Sequence, residues 1–122
     1  MSTEEFIIFI YLIIEELYPI VVTKPLRKRG FPPALTDIEI ITMQIVGEFL
    51  KMDTDKSIWM FFKNNYLDWF PKLGSYPNFC KHCANLWQVH QKITAQLTVR
   101  YGQDNIHFID GFFFLFVDIA EQ

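Results

Sequence analysis

The carboxylate best placed for chemistry in this 122-residue chain is Asp110, which directly follows the largely apolar run Ile106 to Ile109. A short run rich in β-branched and aromatic residues predicts a buried strand, and Asp110 then lies at its end. A carboxylate there can hold a divalent metal ion, but a two-metal site needs several acids from different elements. Asp118 and Glu121 follow on the same short segment and are not expected to converge with it. Asp110 is therefore a candidate metal ligand and catalytic acid that needs partners.

Two cysteines offer a second kind of chemistry. Cys80 and Cys83 have the C-x-x-C spacing of many zinc and redox sites, with His82 and His90 nearby. A structural zinc site needs a second ligand pair, and these histidines are eight residues apart on one predicted helix. Zinc, a redox dithiol and buried reduced thiols are the alternatives. We expect buried thiols, because Cys83 and His90 fall on the apolar seam of that helix.

The charge distribution is uneven along the chain. The net charge is −3, but residues 1–50 carry seven acids and four bases, residues 51–100 three acids and seven bases, and the last 22 residues four acids and no base. A basic section between acidic ends can form a nucleic-acid contact surface. The connector that contains Arg27, Lys28 and Arg29 is bounded by proline and glycine. It is either a solvated loop or an arm that contacts phosphates.

Two predicted helices joined by a short turn form the centre of the chain. Thr36 and Glu39 have the spacing of a capping box, which predicts that a helix starts here. A polar run after Leu50 breaks the apolar period, and Thr54 or Asp55 can cap the second helix. Apolar residues that recur every three to four positions indicate amphipathic helices. They are Ile38, Ile41, Ile45, Val46 and Phe49 in the first helix and Ile58, Trp59 and Phe62 in the second.

The first fifth of the chain predicts another helix. Its apolar run from Phe6 to Ile14 is ended by two glutamates and is far shorter than the roughly 20 residues that span a membrane. No basic region precedes it and no small-residue cleavage site follows, which argues against a signal peptide. We expect a buried helix, capped by Ser2 or Thr3, that ends before Pro19. The protein is accordingly expected to be cytoplasmic and not to enter a membrane.

A long helix is predicted after Ser75, which suits an N-cap, and Pro77, which suits a first turn. Gly102 is expected to end it. One face is an apolar seam of Phe79, Cys83, Leu86, His90, Ile93 and Leu97, and the other carries Lys81, Asn85, Gln88, Lys92 and Gln96. The polar face is either an ordinary solvated surface or a set of donors to phosphates and base edges. The three tryptophans, Trp59, Trp69 and Trp87, are expected to pack in the core rather than stack on bases.

Several blocks of the chain are recognisable together. In order they are Arg27 to Phe31, Leu35 to Leu50, Asp53 to Trp59, Trp69 to Ser75, Ala84 to Val89 and Ile106 to Phe112. They resemble the N-terminal half of a family of bacterial insertion-sequence transposases of the DDE type, over nearly all of the first 112 residues. The resemblance implies a mainly α fold. Residues 1–101 would form a helical, helix-turn-helix-like DNA-binding domain, and residues 102–122 the truncated start of a ribonuclease H-like α/β domain.

The family's activity is DNA transposition, in which three acids hold two Mg²⁺ ions that promote strand cleavage and transfer. Asp110 matches the first acid, and the other two are expected beyond residue 122. The resemblance therefore implies a chain that binds double-stranded DNA at element ends, and full-length transposase or a second copy of itself, but holds no Mg²⁺ and is inactive alone. The residues expected to contact DNA are Arg27, Lys28, Arg29, Lys63, Lys81, Gln88, Lys92 and Arg100.

The pattern of the family stops after Phe112. The family continues with prolines and a Cys-Arg-aromatic-Ser-Arg-Ala-like run, whereas residues 113–122 are mostly apolar. Codons for residues 116–122 can be chosen so that another reading frame encodes Cys-Arg-Tyr-Ser-Arg-Ala. A frameshift is therefore our hypothesis for the tail, which would make it an aggregation hazard. The rival interpretation is a stand-alone helix-turn-helix regulator, with the motif in residues 36–66 and a long helix that dimerises through its seam.

Overall fold

The computed structural model describes residues 2–24 and 35–99, and these two parts are mainly helical, as the sequence predicts. The helices are α1 (Thr3–Val21), α2 (Asp37–Phe49), α3 (Asp55–Asn65), α4 (Tyr76–Asn85) and α5 (residues 87–99). No strand occurs within these parts. The predicted strand with Asp110 lies outside the described residues, as do Arg27, Lys28, Arg29 and Arg100.

Each of the first four helices begins at a hydroxyl N-cap. The side-chain oxygen of each cap accepts a hydrogen bond from the backbone N–H three residues later, at 3.1 to 3.3 Å. Such a cap contributes about 1 kcal/mol to helix stability. The caps are Ser2, Thr36, Thr54 and Ser75. At α2 the Glu39 carboxylate also accepts from the Thr36 N–H at 3.1 Å, which confirms the predicted capping box.

α1 is longer than predicted, because it continues past Pro19 to Val21. The missing N–H of Pro19 removes only one helical hydrogen bond, to the carbonyl four residues earlier, and the ring is exposed. The helix then closes normally, since the Val22 N–H donates to the Tyr18 carbonyl at 2.9 Å. α1 is also not buried all round, because Ile8 and Leu12 lie on an exposed face.

α2 is the central helix of the fold. It packs against α1 on one side and against α3 and α4, which also contact each other, on the other. The neighbouring helices bury more residues of α2 than the apolar positions that the sequence predicts. Ile40 and Met43, for example, are 1% exposed or less. The rings of Phe6 and Phe49 meet edge to face at 5.8 Å, so the start of α1 lies against the end of α2. The two helices therefore run antiparallel.

The turn between α2 and α3 is short, as predicted, and very tightly packed. A Cβ atom on Gly47 would lie 2.4 Å from Cγ1 of Ile58, so only glycine allows the two helices to approach this closely. The turn itself has Lys51 at φ 63°, the left-handed region that usually ends a helix. The Met52 N–H closes it by donating to the Gly47 carbonyl at 2.9 Å. α2 and α3 are thus interlocked at the turn.

The long helix predicted after Ser75 is interrupted at Leu86, where α4 ends and α5 begins. Leu86 has φ −105° and ψ 9°, and its N–H is shared between the carbonyls of His82 and Cys83. Leu86 is only 1% exposed, so the turn keeps this side chain in the core. The predicted seam is otherwise correct, but it is largely buried inside the chain and is not available as a dimer interface.

Candidate nucleic-acid interface

The described residues that the sequence singled out for DNA contact are all exposed. They are Lys63 on α3, Lys81 on α4, and Gln88 and Lys92 on α5. Gln88 and Lys92 are one helical turn apart, so they share a face of α5. Exposure of all four side chains is the minimum condition for contact with a nucleic-acid backbone.

Trp59 links the surface of α3 to the start of α4. Its indole N–H donates to the Gly74 carbonyl at 3.0 Å, and its ring lies 5.8 Å from that of Tyr76. The Nζ atom of Lys63 lies 4.5 Å from the centre of the Trp59 ring, a cation–π distance. Trp59 therefore packs between α3 and the start of α4, and its ring contacts the ammonium group of Lys63.

The other two tryptophans correct our expectation that all three are core residues. Trp69 is 42% exposed and Trp87 is 55% exposed. Trp87 opens α5 beside Gln88, whereas Trp69 lies in the turn that follows α3. Two large aromatic surfaces are thus left open to partners.

The exposed face of α3 adds candidates that the sequence interpretation missed. Lys56, Met60, Lys63 and Asn64 are all exposed, whereas Ile58 and Phe62 are buried. The four exposed positions are spaced by four, three and one residues, which places them on one side of the helix. The sequence contains a signal for Lys56 and Asn64, because the predicted apolar positions Ile58 and Phe62 leave these two residues on another side of the helix.

Charge is divided between the two sides of the fold. The described residues of the α1 and α2 side, 2–24 and 35–50, contain seven acids and one base. Residues 51–99, which form α3 to α5, contain three acids and six lysines. The uneven charge along the sequence therefore also distinguishes the helices, because the acids lie mostly on α1 and α2 and the lysines mostly on α3 to α5. Only the α3 to α5 side has a positive balance.

A buried polar network holds these two sides together. Asp37, the first residue of α2, accepts a hydrogen bond from the Tyr18 hydroxyl of α1 at 2.8 Å. Its other carboxylate oxygen lies 2.7 Å from Nε2 of His82 on α4. Asp37 and His82 are each 9% exposed. A carboxylate in the first turn of a helix is also favoured by the helix dipole. Three helices therefore converge on one side chain.

A second histidine connects α5 to α2. Nε2 of His90 lies 2.9 Å from Oε1 of Glu48, within ion-pair distance, but the two atoms lack the angle of a good hydrogen bond. Both histidines that the sequence placed near the cysteines are thus turned toward carboxylates of α2. Among the described residues, no three side chains of His, Cys, Asp or Glu form a group that could hold a metal ion.

The cysteines differ from each other in their surroundings. Cys83 is buried, whereas Cys80 is partly exposed, so the expectation of buried thiols is correct for one of them. Burial, followed by the charges of Asp55 and Cys80, raises the pKa of Cys83 to about 12. Because the thiolate is the reactive form, Cys83 is poorly suited to redox or nucleophilic chemistry.

Alkylation tests this difference directly. In the native protein at about pH 8, roughly one Cys83 thiol in ten thousand is ionised, so iodoacetamide is expected to modify Cys80 alone. In denaturant both cysteines should react. Mass spectrometry of the digested protein measures the extent of labelling at each site. Equal labelling rates of Cys80 and Cys83 under native conditions would contradict the burial of Cys83.

Comparison of the chain with protein-family models, with curated proteins and with solved structures finds no match. In the parts of the chain that the structure describes, no helix combines the length and apolar character needed to cross a membrane.

Proposed function

We propose that this chain is the DNA-binding part of an insertion-sequence transposase of the DDE type. The observation that carries the proposal is the interlocked α2–turn–α3 unit, whose second helix presents a polar, basic face to solvent. Helix-turn-helix proteins place the second helix of such a unit in the major groove of DNA. The resemblance of Leu35 to Trp59 to transposases of this family supports the same assignment.

In this proposal α3 faces the major groove of the DNA, and the lysines of α4 and α5 contact the DNA backbone. Lys56, Lys63 and Asn64 can donate hydrogen bonds to base edges or phosphates from the exposed side of α3. Lys81 and Lys92 supply positive charge from the neighbouring helices, and Gln88 supplies a neutral donor. Contacts between these α4 and α5 side chains and the DNA backbone fix the position of the protein on the duplex but carry no sequence information.

The Mg²⁺ chemistry of the family needs three acids, of which the resemblance identifies only Asp110 in this sequence. We therefore assign no step of DNA cleavage or strand transfer to this chain. Its proposed role is to bind DNA at the ends of the element.

Salt-dependent DNA binding tests the proposal. We expect the protein to bind a fluorescein-labelled duplex at about 50 mM salt and to lose affinity steeply by about 200 mM salt. A triple variant, Lys63→Ala, Lys81→Ala and Lys92→Ala, should reduce the slope of log K against log salt by roughly 3, because three phosphate contacts are lost. Fluorescence anisotropy measures both effects.

The matched control replaces the same three lysines by arginine. Arginine keeps the charge, so this variant should retain the salt slope of the original protein. The proposal fails if the original protein does not bind at low salt, or if the alanine and arginine variants bind with the same affinity and slope.

A further inference from the structure

The part of the chain that the structure describes has an open apolar groove on its surface. It is formed by α1, the first turn of α2 and the turn after α3, and its volume is about 270 Å³. The residues that line it are Ile7, Ile8, Tyr11, Glu39, Trp69 and Phe70. Ile8 is 47% exposed, and Leu12, one helical turn further along α1, is 57% exposed. The groove therefore continues onto an uncovered apolar strip of α1.

The shape and the lining of this groove suit a protein segment rather than a small molecule. Sites for drug-sized ligands are typically enclosed and have volumes of about 300 to 1,000 Å³. This groove is open to solvent and lies at the lower end of that range, so it offers room for one or two side chains of a partner. Tyrosine, tryptophan and phenylalanine are enriched at the centres of protein interfaces, and all three are present here.

The charge around the groove defines the partner further. Glu39 lines it, and Glu15 follows Tyr11 by one helical turn. Burial first, and then the charges of Glu15 and Glu39, raise the pKa of the Tyr11 phenol, so both carboxylates act on the interior of the groove. Asp68 and Lys72, which flank Trp69 in the sequence, carry opposite charges. The balance at the groove is therefore negative, and it repels phosphate groups of nucleic acids and anionic lipids.

We propose that this groove docks a segment of another protein in which an aromatic or branched aliphatic side chain is flanked by lysine or arginine. The apolar side chain would enter between Ile8 and Trp69, and the flanking cations would face Glu15 and Glu39. This binding goes beyond the proposed DNA contact and does not depend on it. The residues that line the groove do not include Lys63, Lys81, Gln88 or Lys92.

Three short synthetic peptides labelled with a fluorophore test the proposal. The first has a central Leu-Phe pair flanked by Lys and Arg, the second has the same pair flanked by Glu, and the third has Ser-Ser flanked by Lys and Arg. Only the first is expected to bind measurably in fluorescence anisotropy. Its affinity should fall as salt is added, because the carboxylates near the groove are partly exposed.

Two substitutions locate the binding site of the first peptide. Trp69→Ala should weaken binding by about tenfold or more, as for aromatic anchors of other interfaces. Glu39→Gln removes a charge from the groove but keeps the capping box, since glutamine also serves there. It should weaken binding by about threefold and reduce the salt dependence. Matched controls outside the groove are Trp87→Ala and Asp53→Asn, which should leave peptide binding unchanged.

Circular dichroism of each variant verifies that the helices are retained, and DNA binding by Trp69→Ala should equal that of the original protein. Equal binding of the apolar–acidic peptide, or of the basic peptide without Leu-Phe, overturns the proposal. So does a lack of binding by the first peptide. Sedimentation of the protein alone supplies the last check, because a stable dimer that Trp69→Ala dissociates would mean that a second copy covers the groove, which also overturns the proposal.

Discussion

His82→Ala should lower the free energy of unfolding by about 2 to 4 kcal/mol. The substitution removes the imidazole whose Nε2 lies 2.7 Å from the carboxylate of Asp37, at a site where both residues are 9% exposed. A buried carboxylate that loses such a neighbour keeps the cost of its desolvation. The loss also removes a direct side-chain contact between α4 and the start of α2. Urea unfolding followed by circular dichroism measures the change.

A mutant series separates the hydrogen bonds of Asp37 from the simple loss of volume. Tyr18→Phe deletes only the hydroxyl that donates to Asp37 at 2.8 Å, and it should cost about 1 kcal/mol. The double variant Asp37→Ala and His82→Ala should be more stable than the sum of the two single effects predicts, because each single change leaves a polar atom of the other residue without this partner and the second change removes that atom. Strict additivity of Asp37→Ala and His82→Ala would contradict the pairing.

The second large effect is expected at Gly47, in the interlock between α2 and α3. Alanine is a better helix former than glycine by about 1 kcal/mol. Here, however, its Cβ would meet Cγ1 of Ile58 at 2.4 Å and Cδ1 at 2.7 Å, and Ile58 is buried. Overpacking of a core costs about 1 to 3 kcal/mol and should exceed the gain in helix propensity. Gly47→Ala should therefore destabilise the protein, as measured by the midpoint of urea unfolding.

The sign of this effect should reverse when the clash is removed. In the background of Ile58→Ala the γ carbons are absent, so Gly47→Ala should stabilise by about 0.5 to 1 kcal/mol through helix propensity. Gly74→Ala is the matched control, because a Cβ at Gly74 has no heavy atom within 4 Å. It should be neutral or slightly stabilising. Destabilisation by Gly47→Ala in both backgrounds would show that the contact with Ile58 is not the cause.

The helices could be predicted largely because their signals are local. A hydroxyl at each N-cap acts on an amide three residues away, so Thr36 with Glu39, and Ser75 with Pro77, mark helix starts without knowledge of the fold. The break at Leu86 could not be predicted in this way. The apolar period continues through it, and Leu86, at which the helix breaks, is itself a buried member of that seam.

Features that depend on contacts between residues far apart in the sequence were harder to predict. Tyr18 and His82 are 19 and 45 residues from Asp37, and no sequence period relates them. The exposure of Trp69 also follows from the path of the turn after α3 rather than from its residue type. By contrast, Lys81 and Lys92 were predicted on the polar face from helical spacing alone, because the apolar seam of the same predicted helix defines the opposite face, and both are exposed.

The division of acids and lysines across α2 gives the described part of the protein an electric dipole in addition to its net charge. In the field of a polyanion a dipole experiences a torque, so the molecule rotates before it touches anything. The lysine side turns toward the phosphates, and α1 turns away from them. For the proposed DNA contact, this rotation would let a protein whose total charge is negative approach the duplex in one preferred orientation.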